Sequence, residues 1–258
     1  MTARKLHIAV SGTYSTGKST MTEALSVATG IPRTHAMTAR ELIAGIAPGK
    51  QLEELSASEL IALGLRRLEE RIQHEAIHAE ESFFSDGSVI HEWIYGVARM
   101  QAGINPGAPL PLRVIKRIVG LPYRTFYKQY MDAYGLVVKD RAKRSYDAYI
   151  HLPVEFPLRA DGHRPVSESF RKLSDKLLTQ TLDDLQIPYH VIGGSIPQRL
   201  EKIADLFNLP LLTPIDEAVQ IAQTRVRQAT EAIEADARQH SAQRAKSWRR
   251  RIAYALRY

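Results

Sequence analysis

Cysteine is absent from this 258-residue chain. Its absence excludes a disulfide scaffold, a thiolate metal site and a cysteine nucleophile. No apolar run approaches the roughly eighteen residues of a membrane span, and the apolar stretch at 6–10 is too short for a secretory signal. Hydrophobic residues at 44% and charged residues at 24% exclude a disordered or collagen-like chain. We therefore expect a globular, cytoplasmic protein with one main domain.

Positive charge is concentrated in two zones, although the formal net charge is only +7. Residues 103–146 carry nine lysines and arginines against two aspartates, and the last eighteen residues carry six bases and no acid. Such zones are typical of contacts with nucleic acid or an acidic membrane surface, and equally of a solvated face. For the C-terminal zone, a homo-oligomer contact is a further alternative.

Short apolar segments predict buried strands at 6–10, 82–86, 148–152 and 189–192. A helix is expected from Lys18 to about Ala28 with Gly30 as its stop, and another after a cap at Ser167. A further long helix has one apolar face, which comprises Leu60, Ile61, Leu65, Leu68, Ile72 and Ala76. Helices that alternate with buried strands predict an α/β fold with a parallel sheet covered on both faces.

Two regions interrupt this alternation. Residues 103–145 predict a helical insert or substrate lid, and residues 209–258 a basic C-terminal helical extension of a main domain at 1–208. Pro214 precedes the long helix of the extension. The insert contains five aromatic residues, Tyr123, Phe126, Tyr127, Tyr130 and Tyr134. Their rings form either the core of a lid or a surface that stacks nucleobases.

A phosphate-binding motif, G-x-x-x-x-G-K-[ST], occupies residues 12–19. A predicted strand precedes it and a predicted helix follows, as the motif requires, because the loop must direct backbone N–H groups and a helix N-terminus at phosphate. We expect Lys18 to reach the β- and γ-phosphates of ATP and the Ser19 hydroxyl to bind Mg²⁺. The predicted cofactor-binding residues are Gly12, Thr13, Tyr14, Ser15, Thr16, Gly17, Lys18, Ser19 and Thr20. The GTPase signature N-K-x-D is absent, which favours ATP.

Asp86 is the candidate second carboxylate, because it ends a predicted strand and therefore lies at the edge where α/β sheets bind ligands. It would hold the Mg²⁺ shell or take a proton from an attacking hydroxyl; the alternative is a simple Asp-Gly turn. Arginines near a predicted lid loop at 155–172 would balance charge on the transferred phosphoryl group. These candidates are Arg159, Arg164 and Arg171.

Further contacts are predicted around these elements. Gly194 and Arg199, after the last strand, are candidates for the adenine pocket, with a simple turn as the alternative. Substrate contacts are predicted at Arg40, His91, Glu92, Trp93, Tyr95 and Arg124, with core packing as the alternative for Trp93.

One competing motif predicts a different chemistry. Residues 74–78 match H-E-x-x-H, the zinc-protease spacing that places two histidines on one helix face. The extended form of that motif requires histidine where Phe84 stands, and the same helix is dense in charged residues, as a solvated face would be. Zinc catalysis is therefore disfavoured.

The loop and five later segments are similar, in order, to one known family. The segments are TARELI (38–43), SDGSVIHEWIYG (85–96), KDRAKRSYDAYIHLP (139–153), DGHRPVSESFR (161–171) and GGSIPQR (193–199). Over roughly residues 5–207 the chain resembles the P-loop family of ATPases and kinases linked to NAD metabolism, of ribosylnicotinamide-kinase type. The resemblance implies a P-loop NTPase fold of nucleoside- or nucleotide-kinase type, with a five-stranded parallel sheet flanked by helices. It also implies ATP and Mg²⁺ as cofactors, Asp86 near the attacking hydroxyl, and Arg164 with Arg171 on a lid.

The substrate does not follow from the resemblance, because Met37 and Thr38 stand where that family often has a glutamate before Ala-Arg. The leading hypothesis is an ATP-dependent small-molecule kinase that phosphorylates a hydroxyl of a nucleoside-like or other polar metabolite. One alternative is a nucleotide or polynucleotide kinase. The other is an ATPase switch that acts through the basic C-terminal tail.

Overall fold

A five-stranded parallel sheet forms the centre of the protein. The structure, a computed structural model, describes residues 5–48, 50, 52, 55–102, 121–158 and 167–242. Its strands are β1 (His7–Ser11), β2 (Arg33–Thr34), β3 (Phe83–Asp86), β4 (Ala148–His151) and β5 (Tyr189–Val191). They lie in the order β2-β3-β1-β4-β5. The parallel sheet is confirmed, and the carboxyl ends of its strands share one edge, where ligands bind in such sheets.

Eight helices occur in the described part of the chain and flank the sheet. They are α1 (Lys18–Thr29), α2 (Ala39–Ile46), α3 (Ala57–Ile77), α4 (Val89–Ala102), α5 (Leu121–Ser145), α6 (Glu168–Asp184), α7 (Ile196–Phe207) and α8 (Ile215–Ala242). None of these described helices is both long enough and apolar enough to cross a membrane. The predicted helix ends at Gly30 and Ser167 are confirmed: Gly30 ends α1 with a φ of +74°, and Ser167 Oγ accepts the backbone N–H of Phe170 at 3.2 Å.

The sheet buries a separate apolar core on each face. On one face, Ile8, Val10 and Ile150 pack against α1, α7 and α8. On the other, Ala9, Phe83 and Tyr149 pack against α4, α5 and α6. Side chains that alternate between the two faces of each strand produce this division. Both faces are therefore covered, as the short, largely apolar strands predict.

Helix α8 belongs to the first core. Ala218, Val219 and Ala222 are buried against α1. Arg225 donates a hydrogen bond to Glu23 of α1 at 2.8 Å, and Arg33 of β2 pairs with the same carboxylate. The helix begins at Ile215, directly after Pro214, as predicted. Most of the basic tail, residues 243–258, lies outside the described residues.

The apolar face predicted for α3 is only partly correct. Leu65 is 48% exposed and Ala76 is exposed, whereas Glu70, Arg71 and Glu75 are buried. The charged stretch of this helix is therefore only in part the solvated face that the sequence suggested, since Arg66 and Glu69 are exposed. Arg71 and Glu75 have partners on other elements, and Glu70 pairs with Arg66 and His74 of the same helix. A pattern of apolar residues alone does not register such partners, which offset the cost of burying a charge.

Candidate active site at the carboxyl edge of the sheet

The segment 12–17 connects β1 to α1 at the carboxyl edge of the sheet. It turns sharply because Gly12 and Gly17 adopt φ angles of +136° and +87°. A Cβ atom at position 12 would lie 2.7 Å from the carbonyl oxygen of Leu152 and 2.8 Å from Thr16 Oγ1, so only glycine fits there without displacing backbone. Gly17 is also the N-cap of α1. Backbone N–H groups at such a helix start favour phosphate.

Lys18 and Ser19 form the first turn of α1 beside this loop. Lys18 Nζ donates a hydrogen bond to the carbonyl oxygen of Thr13 at 2.5 Å, and Thr16 Oγ1 donates to the same oxygen at 3.0 Å. The cation therefore lies folded against the loop, while Ser19 is exposed. A cation against the loop and an accessible hydroxyl beside it fit the phosphates and the Mg²⁺ of ATP.

Asp86 ends β3 and lies opposite Val10 of β1, two residues before the loop. Its side chain is only 10% exposed, and its Oδ2 lies 3.9 Å from Nδ1 of His35. His35 directly follows β2, so it reaches the same edge. Desolvation lowers the pKa of His35, although the nearby Asp86 acts to raise it. A carboxylate thus stands beside the phosphate-binding loop, and His35 faces it.

Among the described residues no group of three or more histidine, aspartate or glutamate side chains could hold a metal ion. This is compatible with Mg²⁺, which keeps water ligands and takes only one or two carboxylates together with substrate phosphates. Ser19 and Asp86 are the protein groups that fit such an ion.

The segment after β4 is clamped to the loop by Arg199 of α7. Arg199 is fully buried, and its Nη1 donates to the carbonyl oxygen of Thr16 at 2.6 Å. Its Nη2 pairs with Glu155 Oε2 at 2.8 Å, and the same oxygen accepts the backbone N–H of Gly194 at 2.8 Å. These donors lower the pKa of Glu155. The guanidinium carbon also lies 4.8 Å from the centre of the Phe156 ring. Gly194 and Arg199, predicted as an adenine pocket, therefore share Glu155 as a partner, and Arg199 also contacts the loop; their role in binding adenine stays a prediction.

Arg171 is fully buried in the first turn of α6. Its Nη2 donates to the carbonyl oxygen of Phe156 at 2.6 Å, and its Nη1 lies 3.4 Å from a carboxylate oxygen of Glu168. It therefore ties α6 to the segment after β4, and its predicted role in phosphoryl transfer stays a prediction. Arg159 and Arg164 lie outside the described residues, as do the side chains of Arg40 and Arg124.

Three aromatic rings meet beside the loop. The ring of Tyr14, within the loop, stacks on Tyr95 of α4 with centroids 4.5 Å apart. Phe170 of α6 lies 6.2 Å from Tyr14 and 6.5 Å from Tyr95. The His91 ring lies 6.2 Å from Tyr95. Of the predicted substrate contacts, His91 and Tyr95 are thus brought to the loop.

The structure does not bring Glu92 and Trp93 to the loop. Glu92 pairs with Arg67 of α3 at 2.8 Å. Trp93 Nε1 donates to the carbonyl oxygen of Met131 at 2.8 Å, and Lys139 Nζ lies 4.2 Å from its ring centre. Trp93 therefore packs against α5, which was the alternative for this residue. Substrate contact by these two side chains stays a prediction without support from the geometry.

The aromatic residues of the insert separate into two groups. Tyr127, Tyr130 and Tyr134 pack into the second core with α4, whereas Phe126 is 60% exposed. The Tyr123 side chain and residues 103–120 lie outside the described residues. Three of the five rings thus form part of a helical core, which leaves few of them for stacking on a nucleic acid.

Glu75, the central residue of the H-E-x-x-H match, has partners within the fold. Its Oε1 accepts hydrogen bonds from Ser85 Oγ at 3.1 Å and from the Tyr146 hydroxyl, and its Oε2 accepts from Arg141 at 3.1 Å. A carboxylate with three donors is not placed as the base of a zinc protease.

A phosphate-binding loop at the carboxyl edge of this sheet defines a P-loop protein with the fold of the nucleoside kinases. The model of the AAA domain family matches residues 7–199, and the chain belongs to that family. No curated protein matches the chain by sequence.

Solved structures of the deoxyadenosine kinase from M. mycoides have the same fold. The structure with bound dATP has a TM-score of 0.56 at 18% identity and covers 79% of this chain and 100% of that chain. The structure with dCTP has a TM-score of 0.54 at 17% identity, and it covers 79% of this chain and 99% of that chain. The structure with the products dCMP and dCDP has a TM-score of 0.55 at 18% identity, with the same coverage as the dCTP structure. These matches support the P-loop kinase resemblance, and none of them refers to NAD metabolism.

Sequence reasoning missed three residues of this site. His35 follows a strand of only two residues, which is too short to show a period. Glu155 pairs with Arg199 of α7, and Arg71 of α3 bonds to the end of β3. Both contacts join separate elements, so no local pattern in the sequence marks them. A glutamate four residues after the fourth strand was the only available signal for Glu155.

Proposed function

We propose that the chain is a kinase that uses Mg²⁺ and ATP to phosphorylate a hydroxyl of a nucleoside-like or other polar metabolite. The observation that carries the proposal is the position of Asp86 beside a loop of phosphate-binding geometry. Catalysis of phosphoryl transfer depends mainly on positioning and on electrostatic stabilisation, and these are the properties this edge of the sheet supplies.

Each residue has a defined part in this proposal. The loop N–H groups and Lys18 hold the phosphates, and Ser19 holds the metal. Bound Mg²⁺ and ATP supply the phosphoryl group and the positive charge that offsets its oxygens. Asp86 accepts the proton of the acceptor hydroxyl, or organises the metal, while that oxygen bonds to phosphorus and the bond to ADP breaks.

Two observations favour a nucleoside-like acceptor. The described structural relatives are deoxyadenosine kinases. In addition, Tyr14, Tyr95 and Phe170 gather aromatic surface beside the loop, where a base could pack. The polynucleotide alternative is less favoured, because Tyr127, Tyr130 and Tyr134 pack within the core.

The test is Mg²⁺-dependent ADP release from ATP across a panel of nucleosides, nucleotides, sugars and other hydroxylated metabolites. Lys18→Ala should reduce acceptor-stimulated release by about 100-fold or more, as removal of one stabilising donor does in other enzymes. Lys176→Ala is the matched control, because Lys176 is exposed on α6. Release that no acceptor stimulates, or unchanged affinity for Mg²⁺-ATP in Lys18→Ala, would contradict the kinase.

A further inference from the structure

A buried guanidinium lies under the turn that contains Asp86. Arg71 of α3 is only 5% exposed. Its Nη1 donates to Ser85 Oγ at 3.0 Å, and its Nη2 donates to the backbone carbonyl oxygen of Asp86 at 3.1 Å. Both contacts are made to the last two residues of β3. One side chain thus holds the end of the strand that presents the proposed catalytic carboxylate.

The turn itself is shaped around this guanidinium. Gly87 adopts a φ of +87°, and a Cβ atom there would lie 3.3 Å from Arg71 Nη2. The Gly87 N–H donates to the carbonyl oxygen of Val10 at 3.0 Å. The Asp86–Gly87 peptide is therefore fixed from two sides, by β1 through its N–H and by Arg71 through its carbonyl oxygen.

Glu75 connects this arrangement to α5. It lies one turn after Arg71 on α3 and is 3% exposed. Its carboxylate accepts hydrogen bonds from Ser85, Arg141 and Tyr146. Arg141 lies within α5, and Tyr146 is the residue that follows it. Tyr146 also accepts the N–H of Val89, the first residue of α4, at 3.3 Å. We call Arg71, Glu75, Ser85, Arg141 and Tyr146 the buried bridge.

Stability alone gives no reason for the bridge. Burying charges is costly, and well-packed apolar side chains often stabilise a fold as much or more. A guanidinium, however, offers donors in a fixed planar arrangement, so it can fix a hydroxyl and a carbonyl together. The position of these donors at the end of β3, rather than elsewhere in the core, indicates a role in placing Asp86.

We propose that Arg71 is a positioning residue that sets Asp86 at the phosphate-binding loop, and that Glu75 ties this setting to α5. The inference rests on the proposed function for the catalytic role of Asp86, while the positioning itself is a property of the fold. The hydrogen bonds of Arg71 go to Ser85 and Asp86 at the end of β3, so its loss should affect the transfer step more than nucleotide binding.

The first experiment measures hydrogen exchange of the backbone amides at 86–91 in the wild type and in Arg71→Met. Faster exchange confined to this segment is expected in Arg71→Met. Arg66→Met is the control, because Arg66 lies on the same helix, is exposed, and pairs with Glu69 and Glu70 of that helix. Unchanged exchange at 86–91 overturns the positioning role, whether or not the protein is a kinase.

The second experiment compares kinetics with the acceptor that the panel identifies. Arg71→Met should lower kcat by roughly 10- to 100-fold, as misplacement of a reacting group by about 1 Å does. The Kd for Mg²⁺-ATP should change less than about threefold. The kcat of Arg71→Lys should lie between those of the wild type and Arg71→Met, because an ammonium cannot span both acceptors. If Arg71→Met instead lowers kcat and the affinity for Mg²⁺-ATP by the same factor and also lowers the melting temperature, the role of Arg71 is merely structural.

Tyr146→Phe serves as the second variant if Arg71→Met does not fold. It removes one hydroxyl from Glu75 and leaves Arg71 in place. The same faster exchange, smaller in extent, is expected at 86–88; the amide of Val89 is left out, because it loses its own acceptor, the Tyr146 hydroxyl. Exchange that rises only around α5 would overturn the connection through Glu75. If the wild type shows no acceptor-stimulated transfer, the proposed function fails, and the exchange results alone decide the positioning.

Discussion

His91 shows how the fold sets the protonation of one side chain in the site. The ring is buried, and its Nδ1 accepts the backbone N–H of Ser88 at 2.9 Å. In the neutral ring the proton therefore lies on Nε2. Burial lowers the pKa of His91 well below 6.5, and the positive charges of Lys18 and Arg71 add to this effect. His91 is thus a neutral donor beside the loop at neutral pH.

This depressed pKa predicts the direction of an acid effect on stability. The unfolded chain binds the His91 proton near pH 6.5, whereas the folded chain binds it only at lower pH. The unfolded state therefore gains protons first, and stability falls as the pH decreases below about 6.5. Between about pH 6.5 and 5, the free energy of unfolding should decrease less in His91→Gln than in the wild type. Urea titration at several pH values measures this difference. His74→Gln is the control, since that side chain is 43% exposed; parallel curves for wild type and His91→Gln would contradict the assignment.

The residues that the sequence could and could not predict differ in kind. The loop residues, Lys18 and Asp86 follow from a fixed spacing and from the end of a strand, both of which are local in the chain. Arg71 and Glu75 look like solvent-facing charges of an amphipathic helix, because periodicity counts apolar residues only. Their partners on β3 and around α5 are defined by tertiary packing.

At the scale of elements, the loop is held by a clamp that connects α7 with the segment after β4. Arg199 donates to Thr16 within the loop and pairs with Glu155. Because Arg199 is fully buried, loss of Glu155 would leave a buried guanidinium without its anion. The clamp therefore should stiffen the phosphate-binding loop through its backbone.

Glu155→Ala should weaken binding of Mg²⁺-ATP by about tenfold, since a hydrogen bond to a charged group contributes about 1.5 kcal/mol or more. Isothermal titration calorimetry measures this change. Glu201→Ala removes an exposed carboxylate from α7 and should leave the affinity unchanged. Equal affinities of wild type and Glu155→Ala would show that the clamp does not act on the nucleotide.

Strands and helices with a clear pattern were predictable, and short ones were not. The four apolar segments correspond to β1, β3, β4 and β5, and the helix after Pro214 corresponds to α8. Strand β2 comprises only Arg33 and Thr34, so neither hydrophobicity nor alternation marks it. Its existence in the sheet followed only from the family resemblance, which implied a fifth strand.

At the scale of the whole molecule, α8 completes the core although the family match ends at residue 199. Ala218 and Ala222 are buried against Met21, Leu25 and other apolar residues of α1, the helix that begins at the phosphate-binding loop. A truncation at 208 would expose this surface. A test of the basic tail should therefore remove only residues 243–258.

Ala218→Glu tests whether α8 is part of the fold. The substitution places an unpaired charge at a position with no solvent exposure, and such a charge costs on the order of 3 kcal/mol. For a domain of this size the melting temperature should fall by roughly 6 to 12 °C. Ala229→Glu makes the same change at an exposed position of the same helix and should leave the melting temperature nearly unchanged. If both variants have the melting temperature of the wild type, α8 does not pack on α1 in solution, and the core that supports the loop ends with α7.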